Sequence, residues 1–180
     1  MKKIILCLSL TLTSLAYAQN NSIHNERYDV INALYESFDV EKYGKVKLDK
    51  KFFPFLGLGV IISDQELIED LMGSCVDLEK NKYYSYSDIL SPQEIAELGT
   101  QISSFGDYKK LDRKLLTDKV KLVRDRNNIH QAITLPLVYK TKAIIYRTNK
   151  NSEETLFVLV KENEKWNVRC VKHIYTHFED

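Results

Sequence analysis

The chain reads as an α+β fold in which N-terminal helices pack on a curved antiparallel sheet formed mainly by a C-terminal four-stranded meander. Three observations predict this. Apolar residues recur every three to four positions in segments before residue 106. After residue 115 the period changes to an alternating, β-branched one, and polar turn clusters divide that second half into strands. Helices first and strands last is the order of an α+β domain.

The first periodic segment carries Tyr28, Ile31, Leu34, Tyr35 and Phe38 and ends near Gly44, which predicts an amphipathic helix. A second helix is expected from Ser63, where Ser63 and Glu66 form a capping box ahead of Leu67, Ile68, Leu71 and Met72, with Gly73 as the stop. The third has the strongest local signal. Ser91 is the N-cap, Pro92 the first helical residue and Glu94 the reciprocal acid, followed by Ile95, Leu98, Ile102 and Phe105 on one stripe before Gly106. Tyr83 to Tyr86 suggests one short strand between helices.

Four strands are then expected: Lys119 to Val123, Ile133 to Thr148, Thr155 to Lys161 and Lys165 to His177. The run Leu156 to Val160 suits a central strand covered on both faces. Trp166, Val168 and Cys170 alternate with Asn167 and Arg169, as in a half-buried strand, and Pro136 marks a bulge or an edge.

Lys2 and Lys3 precede an apolar run from Ile4 to Leu8, and Ala16-Tyr17-Ala18 closes the stretch. This has the form of a secretory signal peptide cut after Ala18. Residues 19–180 are then expected to make one domain, exported to the periplasm or the medium, with no second apolar run long enough to span a bilayer. Cys7 is not placed as a lipobox cysteine, so no lipid anchor is expected. Loss of Lys2 and Lys3 from 26 basic and 25 acidic residues leaves one net negative charge. No strong field recruits nucleic acid or membrane.

Cys75 and Cys170 remain after cleavage. In an oxidising compartment they are a disulfide candidate, and the alternative is two buried thiols packed as small hydrophobes. Their number and spacing exclude a CxxC redox pair and a cysteine-rich zinc site.

The order of elements resembles the NTF2-like, cystatin-like superfamily: an amphipathic N-terminal helix, shorter helices, then long hairpins ending in an apolar strand, a polar turn with Lys165-Trp166, and a terminal strand. The resemblance implies a fold and carries over no catalytic residue, because that superfamily has no universal motif. Ser91-Pro92-Gln93-Glu94-Ile95, Leu135-Pro136-Leu137 with Ala143-Ile144-Ile145-Tyr146, and Lys165-Trp166-Asn167-Val168 also resemble a recurrent pattern in small secreted bacterial proteins of unknown function.

Chemistry is mostly excluded. Gly57-Leu58-Gly59 is followed by Ile62 where a dinucleotide fingerprint needs glycine, and no phosphate loop, GxSxG, HExxH, EF-hand or SxxK pattern occurs. No cofactor and no metal is expected. The pocket candidates lie on the last strand, where Arg169, His173, Tyr175 and His177 share a face by the period-two rule. His173 would serve as acid or base and Arg169 as anion partner. The two histidines are about 13 Å apart at the usual strand rise, too far to chelate one metal alone.

Lys109 to Arg126 holds eight basic and three acidic residues, but Leu111, Leu115, Leu116, Val120 and Leu122 interleave them, as on a solvated face beside a buried one. Tyr83, Tyr84 and Tyr86 suit strand packing as well as sugar stacking. The paired acids Asp64/Glu66 and Glu69/Asp70 are explained by helix dipole and solubility.

The resulting expectation is an exported, non-catalytic binding or inhibitory module acting on a protein or small-molecule ligand. The alternative is a cavity enzyme of the NTF2-like kind, or a small-ligand-binding protein, with a polar pocket lined by the last strand.

Overall fold

Residues 24–36 form helix α1, which buries Tyr28, Val30, Ile31 and Tyr35 and packs Leu34 and Phe38 beside them. The computed structural model describes residues 24–52, 73, 75–77, 82–104, 110–124, 131–149 and 153–175. The export segment 1–18, the helix expected from Ser63, the glycines at 57 and 59, and His177 lie outside these residues.

The first helix does not run unbroken to Gly44. It stops at Ser37, and Asp39 starts a separate turn, α2 (Val40–Tyr43), by accepting the Lys42 amide at 3.0 Å. A short carboxylate that competes for nearby N–H groups favours such a restart over a helix interior. Gly44 then ends the turn at φ +72°, a conformation open to glycine without a Cβ penalty.

The helix expected at Ser91 is present as α3 (Pro92–Ser104). Its capping box is reciprocal: Glu94 N–H donates to Ser91 Oγ at 3.3 Å, and Ser91 N–H donates to Glu94 Oε2 at 2.8 Å. Ile95, Leu98 and Ile102 are buried along one stripe.

Nine strands make one mixed sheet among the described residues: β1 (Val46–Asp49), β2 (Cys75–Asp77), β3 (Lys82–Tyr84), β4 (Val120–Val123), β5 (Gln131–Ile133), β6 (Leu137–Tyr139), β7 (Lys142–Asn149), β8 (Glu153–Glu162) and β9 (Lys165–Tyr175). The order is β3-β2-β9-β8-β7-β5-β1-β4, and β6 also pairs with β7. The α+β class holds, and the sheet is larger than the expected meander. The strand expected at Lys119 to Val123 leaves the meander and pairs parallel with β1, which also pairs parallel with β5.

The segment expected as one strand from Ile133 to Thr148 is divided at Pro136. Ile133 pairs with Arg147, whereas Leu137 pairs with Ile144, so one extra residue is accommodated between them. This is the bulge anticipated at a residue that cannot donate to a ladder. β8 and β9 are joined by Asn163 and Glu164, both at positive φ, the geometry of a tight two-residue hairpin.

The two faces of the sheet carry separate cores. Ala143 and Ile145 of β7, Phe157 and Leu159 of β8, and Trp166, Val168 and Val171 of β9 pack with α1. Ile144 and Tyr146, Leu156 and Val158, and Cys170 pack on the opposite face with α3. The alternation along β7 and β8 is strict, which explains the unbroken apolar run of β8: a central strand covered on both sides has no solvent face.

A bulge in β9 alters the alternation there. Val158 pairs with Cys170 and Leu159 with Val168, so Arg169 has no opposite residue. Trp166 and Val168 therefore face α1, as does Val171, while Cys170 turns to the α3 face. The expectation that Cys170 shares a face with Trp166 and Val168 is corrected by this extra residue. Cys75 and Cys170, both buried, stand at disulfide distance with Cα atoms 5.6 Å apart, flanking the pair Val76 and Val171 of β2 and β9. No helix among the described residues is long and apolar enough to cross a membrane.

Candidate functional site

Register brings three polar residues into one row across the central strands. Arg147 of β7 pairs with Thr155 of β8, and Thr155 pairs with His173 of β9. All three share the α1 face. Arg147 places its guanidinium 4.8 Å from the centroid of the Phe157 ring, Thr155 lies two residues from Phe157, and His173 lies two residues from Val171. Directly opposed residues on one face stand roughly 5 Å apart at their Cβ atoms, so the row spans about 10 Å.

Burial grades along it. Thr155 is 2% exposed, Arg147 is half-buried and His173 is exposed. The row therefore has a covered centre and one end open to solvent. The guanidinium over the Phe157 ring is a cation–π contact that ties Arg147 to the aromatic core of this face.

A second polar pair borders the row. Tyr35, near the end of α1, donates its hydroxyl to Gln131 Oε1 at 3.0 Å, and Gln131 is two residues from Ile133, which pairs with Arg147. Burial holds the Tyr35 phenol well above its ordinary range, and the positive charge of Arg147 partly opposes that shift. The helix is set in place at both ends. Glu26 meets Lys161 of β8 at 3.0 Å, and Asn32 accepts from the Thr117 amide at 2.8 Å and donates to the Leu115 carbonyl at 3.0 Å.

Of the sequence-derived candidates, His173 enters this row and Arg169 does not. The bulge lies where Arg169 stands, four residues from His173, so the two are not consecutive members of one alternating face. Tyr175 ends β9 opposite Glu153. Nothing in the sequence singles out Arg147 and Thr155, since only the strand register places them in one row with His173. An Arg-Thr-Asn sequence before a turn carries no sign of that partnership.

On the opposite face the Tyr146 hydroxyl and the Glu154 carboxyl are neighbours. Burial first, and then the nearby carboxylate, raise the Tyr146 phenol well above its ordinary range. A groove of about 450 Å³ is lined by residues 37–41, Lys45, and Asp118 and Lys119, which precede β4. There the Lys119 ammonium donates to the carbonyls of Glu36 and Phe38, so it closes the end of α1.

Other residues noted in the sequence have packing roles. Trp166 is 4% exposed, with Lys161 5.8 Å from its ring centroid. In the basic stretch, Leu111, Leu116 and Val120 are buried while Arg113, Lys114 and Lys121 are exposed. Tyr83 is 75% exposed on β3. No group of three or more His, Cys, Asp or Glu side chains that could hold a metal ion occurs among the described residues.

In comparisons with known proteins, no family model, no curated protein and no solved structure matches this chain.

Proposed function

We propose that the chain is an exported, non-catalytic binding module, acting in the periplasm or outside the cell on a protein or small-molecule ligand through its sheet. The observation that carries the reading is the row Arg147, Thr155, His173, which sets a cation, a hydroxyl and an imidazole on one sheet face with His173 exposed. The export half rests on residues 1–18 and is supported by Cys75 and Cys170, whose spacing suits an oxidising compartment.

The test uses the protein beginning at Gln19, purified without reductant. Thermal unfolding is followed against a panel of small organic acids, amines, sugars and peptides, and each stabilising compound is then incubated with the protein and recovered. The expected result is at least one compound that raises the melting temperature in a saturable way and is recovered unchanged. A compound converted to product, or a panel with no stabilising member, overturns the reading.

A further inference from the structure

We infer that the bond between Cys75 and Cys170 is a redox-sensitive latch: it holds the hairpin of β2 and β3 on the edge of β9, and its reduction by a small dithiol releases that hairpin while the rest of the sheet keeps its register. The device is independent of what the sheet binds.

Among the described residues, β2 pairs with β9 at one position, Val76 with Val171, and β3 pairs with β2 alone. One antiparallel ladder position carries at most two main-chain hydrogen bonds. β9, by contrast, pairs with β8 from Glu153 to Glu162, and β8 with β7 from Lys142 to Thr148. β1 also meets β5 at one pair, but it buries Val46 and Leu48 beside α1. Among the described residues, β2 and β3 bury Cys75 alone, and Tyr83 of β3 is 75% exposed. The hairpin's share of the core is therefore the bonded cysteine itself.

The chain that follows the hairpin is fixed without it. Ile95, Leu98 and Ile102 of α3 pack with Ile144, Leu156 and Val158, and Gln101 bonds Val138 of β6. Cys170 stays in place for a similar reason, since β8 holds its strand from the other side. When the bond is cut, the side free to move is β2 and β3.

Both cysteines are buried, so a reductant reaches them through local openings of this thinly paired edge. A thiolate of the dithiol attacks one sulfur, the Cys75–Cys170 bond breaks, and a mixed disulfide forms that the reagent's second sulfur then resolves. Overall, two electrons and two protons pass from the dithiol to Cys75 and Cys170, and the dithiol becomes a cyclic disulfide. The two thiols remain small hydrophobes, but they no longer tie the strands.

The test compares the protein from Gln19 with and without dithiothreitol, by thiol titration under folding conditions and by amide hydrogen exchange. Two thiols are expected to appear. The amides of Val76, Tyr83 and Tyr84 are expected to exchange at least about tenfold faster relative to those of Ile145 and Val158, a ratio that loosening of the whole fold would leave unchanged. The double variant Cys75→Ala with Cys170→Ala is expected to show the same ratio without reductant and no further change with it. Failure of the thiols to appear overturns the redox sensitivity. An unchanged ratio in the reduced protein, or loss of the Ile145 and Val158 signals in either form, overturns the latch, because the bond would then act on the whole fold or on nothing.

Discussion

The side-chain amide of Gln101 bonds both backbone groups of Val138, donating Nε2 to the carbonyl at 2.8 Å and accepting the N–H at Oε1 at 3.2 Å. Val138 belongs to β6, which among the described strands pairs only with β7. One residue of α3 therefore does for this strand what a further strand would do, covering an otherwise exposed edge. Two neutral hydrogen bonds of this kind are worth about 1–2 kcal/mol together. Gln101→Ala is expected to lower the unfolding free energy by that amount and to speed exchange of the Val138 amide selectively. A denaturation midpoint equal to that of the parent would contradict the assignment.

The Cys75 and Cys170 pair links β2 to β9 across a sequence separation of 95 residues. Closing a loop of that length removes chain entropy worth about 4 kcal/mol from the unfolded state. The double variant Cys75→Ser with Cys170→Ser is expected to lose stability on that order in chemical denaturation. Thiol titration of the denatured, unreduced protein from Gln19 is expected to find none free. Two reactive thiols would reject the bond.

Stability is expected to fall in alkali. Tyr35, Tyr146 and Tyr28 are all raised above the ordinary phenolic value of 10.0, with burial the leading cause in each. Above that pH the unfolded chain releases phenolic protons that the folded chain retains, so the unfolded state binds fewer protons and stability declines as pH rises. The stabilisation is full below pH 10 and is lost above it, by up to about 1.4 kcal/mol per pH unit for each such group. Lys161, raised chiefly by its hydrogen bond to Glu26, acts in the same direction above its ordinary 10.5. Denaturation midpoints at pH 9 and pH 11 test this. Tyr35→Phe and Tyr146→Phe should each flatten the alkaline slope, and an unchanged slope in both would disprove the cause.

Local signals were legible where one segment settles its own structure. Ser91, Pro92 and Glu94 announce α3 because the cap and its reciprocal acid lie within one turn. The run Leu156 to Val160 announces a strand covered twice because burial on both faces leaves no polar position. Apart from the pairing of Cys75 with Cys170, what escaped was decided between distant segments. The parallel pairing of β4 with β1 joins residues more than seventy positions apart, and nothing in Val120–Val123 names Val46–Asp49 as its neighbour. The candidate row escaped for the same reason. His173 could be noticed as a titratable residue on a strand, but its association with Arg147 and Thr155 follows from two registers that alternation alone does not determine.

Arg169 gives the sharpest test of this account, because the bulge reverses a prediction made from period two. Removing Arg169 would make the Val168 and Cys170 pairings consecutive, leaving Trp166, Val168 and Val171 on the α1 face and Cys170 on the α3 face. Deletion of Arg169 is therefore expected to preserve the fold and the Cys75 bond, at a cost of no more than about 2 kcal/mol. Deletion of Lys172, three residues away, has a different consequence. If the bulge closes to absorb it, Cys170 moves to the α1 face and Val171 to the α3 face, a one-residue slip that separates Cys170 from Cys75. That variant is expected to show two free thiols when purified without reductant, and to lose more than about 4 kcal/mol. Thiol counts and denaturation curves of the two deletions decide the matter: equal damage from both would mean that Arg169 is not the extra residue, and that the faces of β9 are set in some other way.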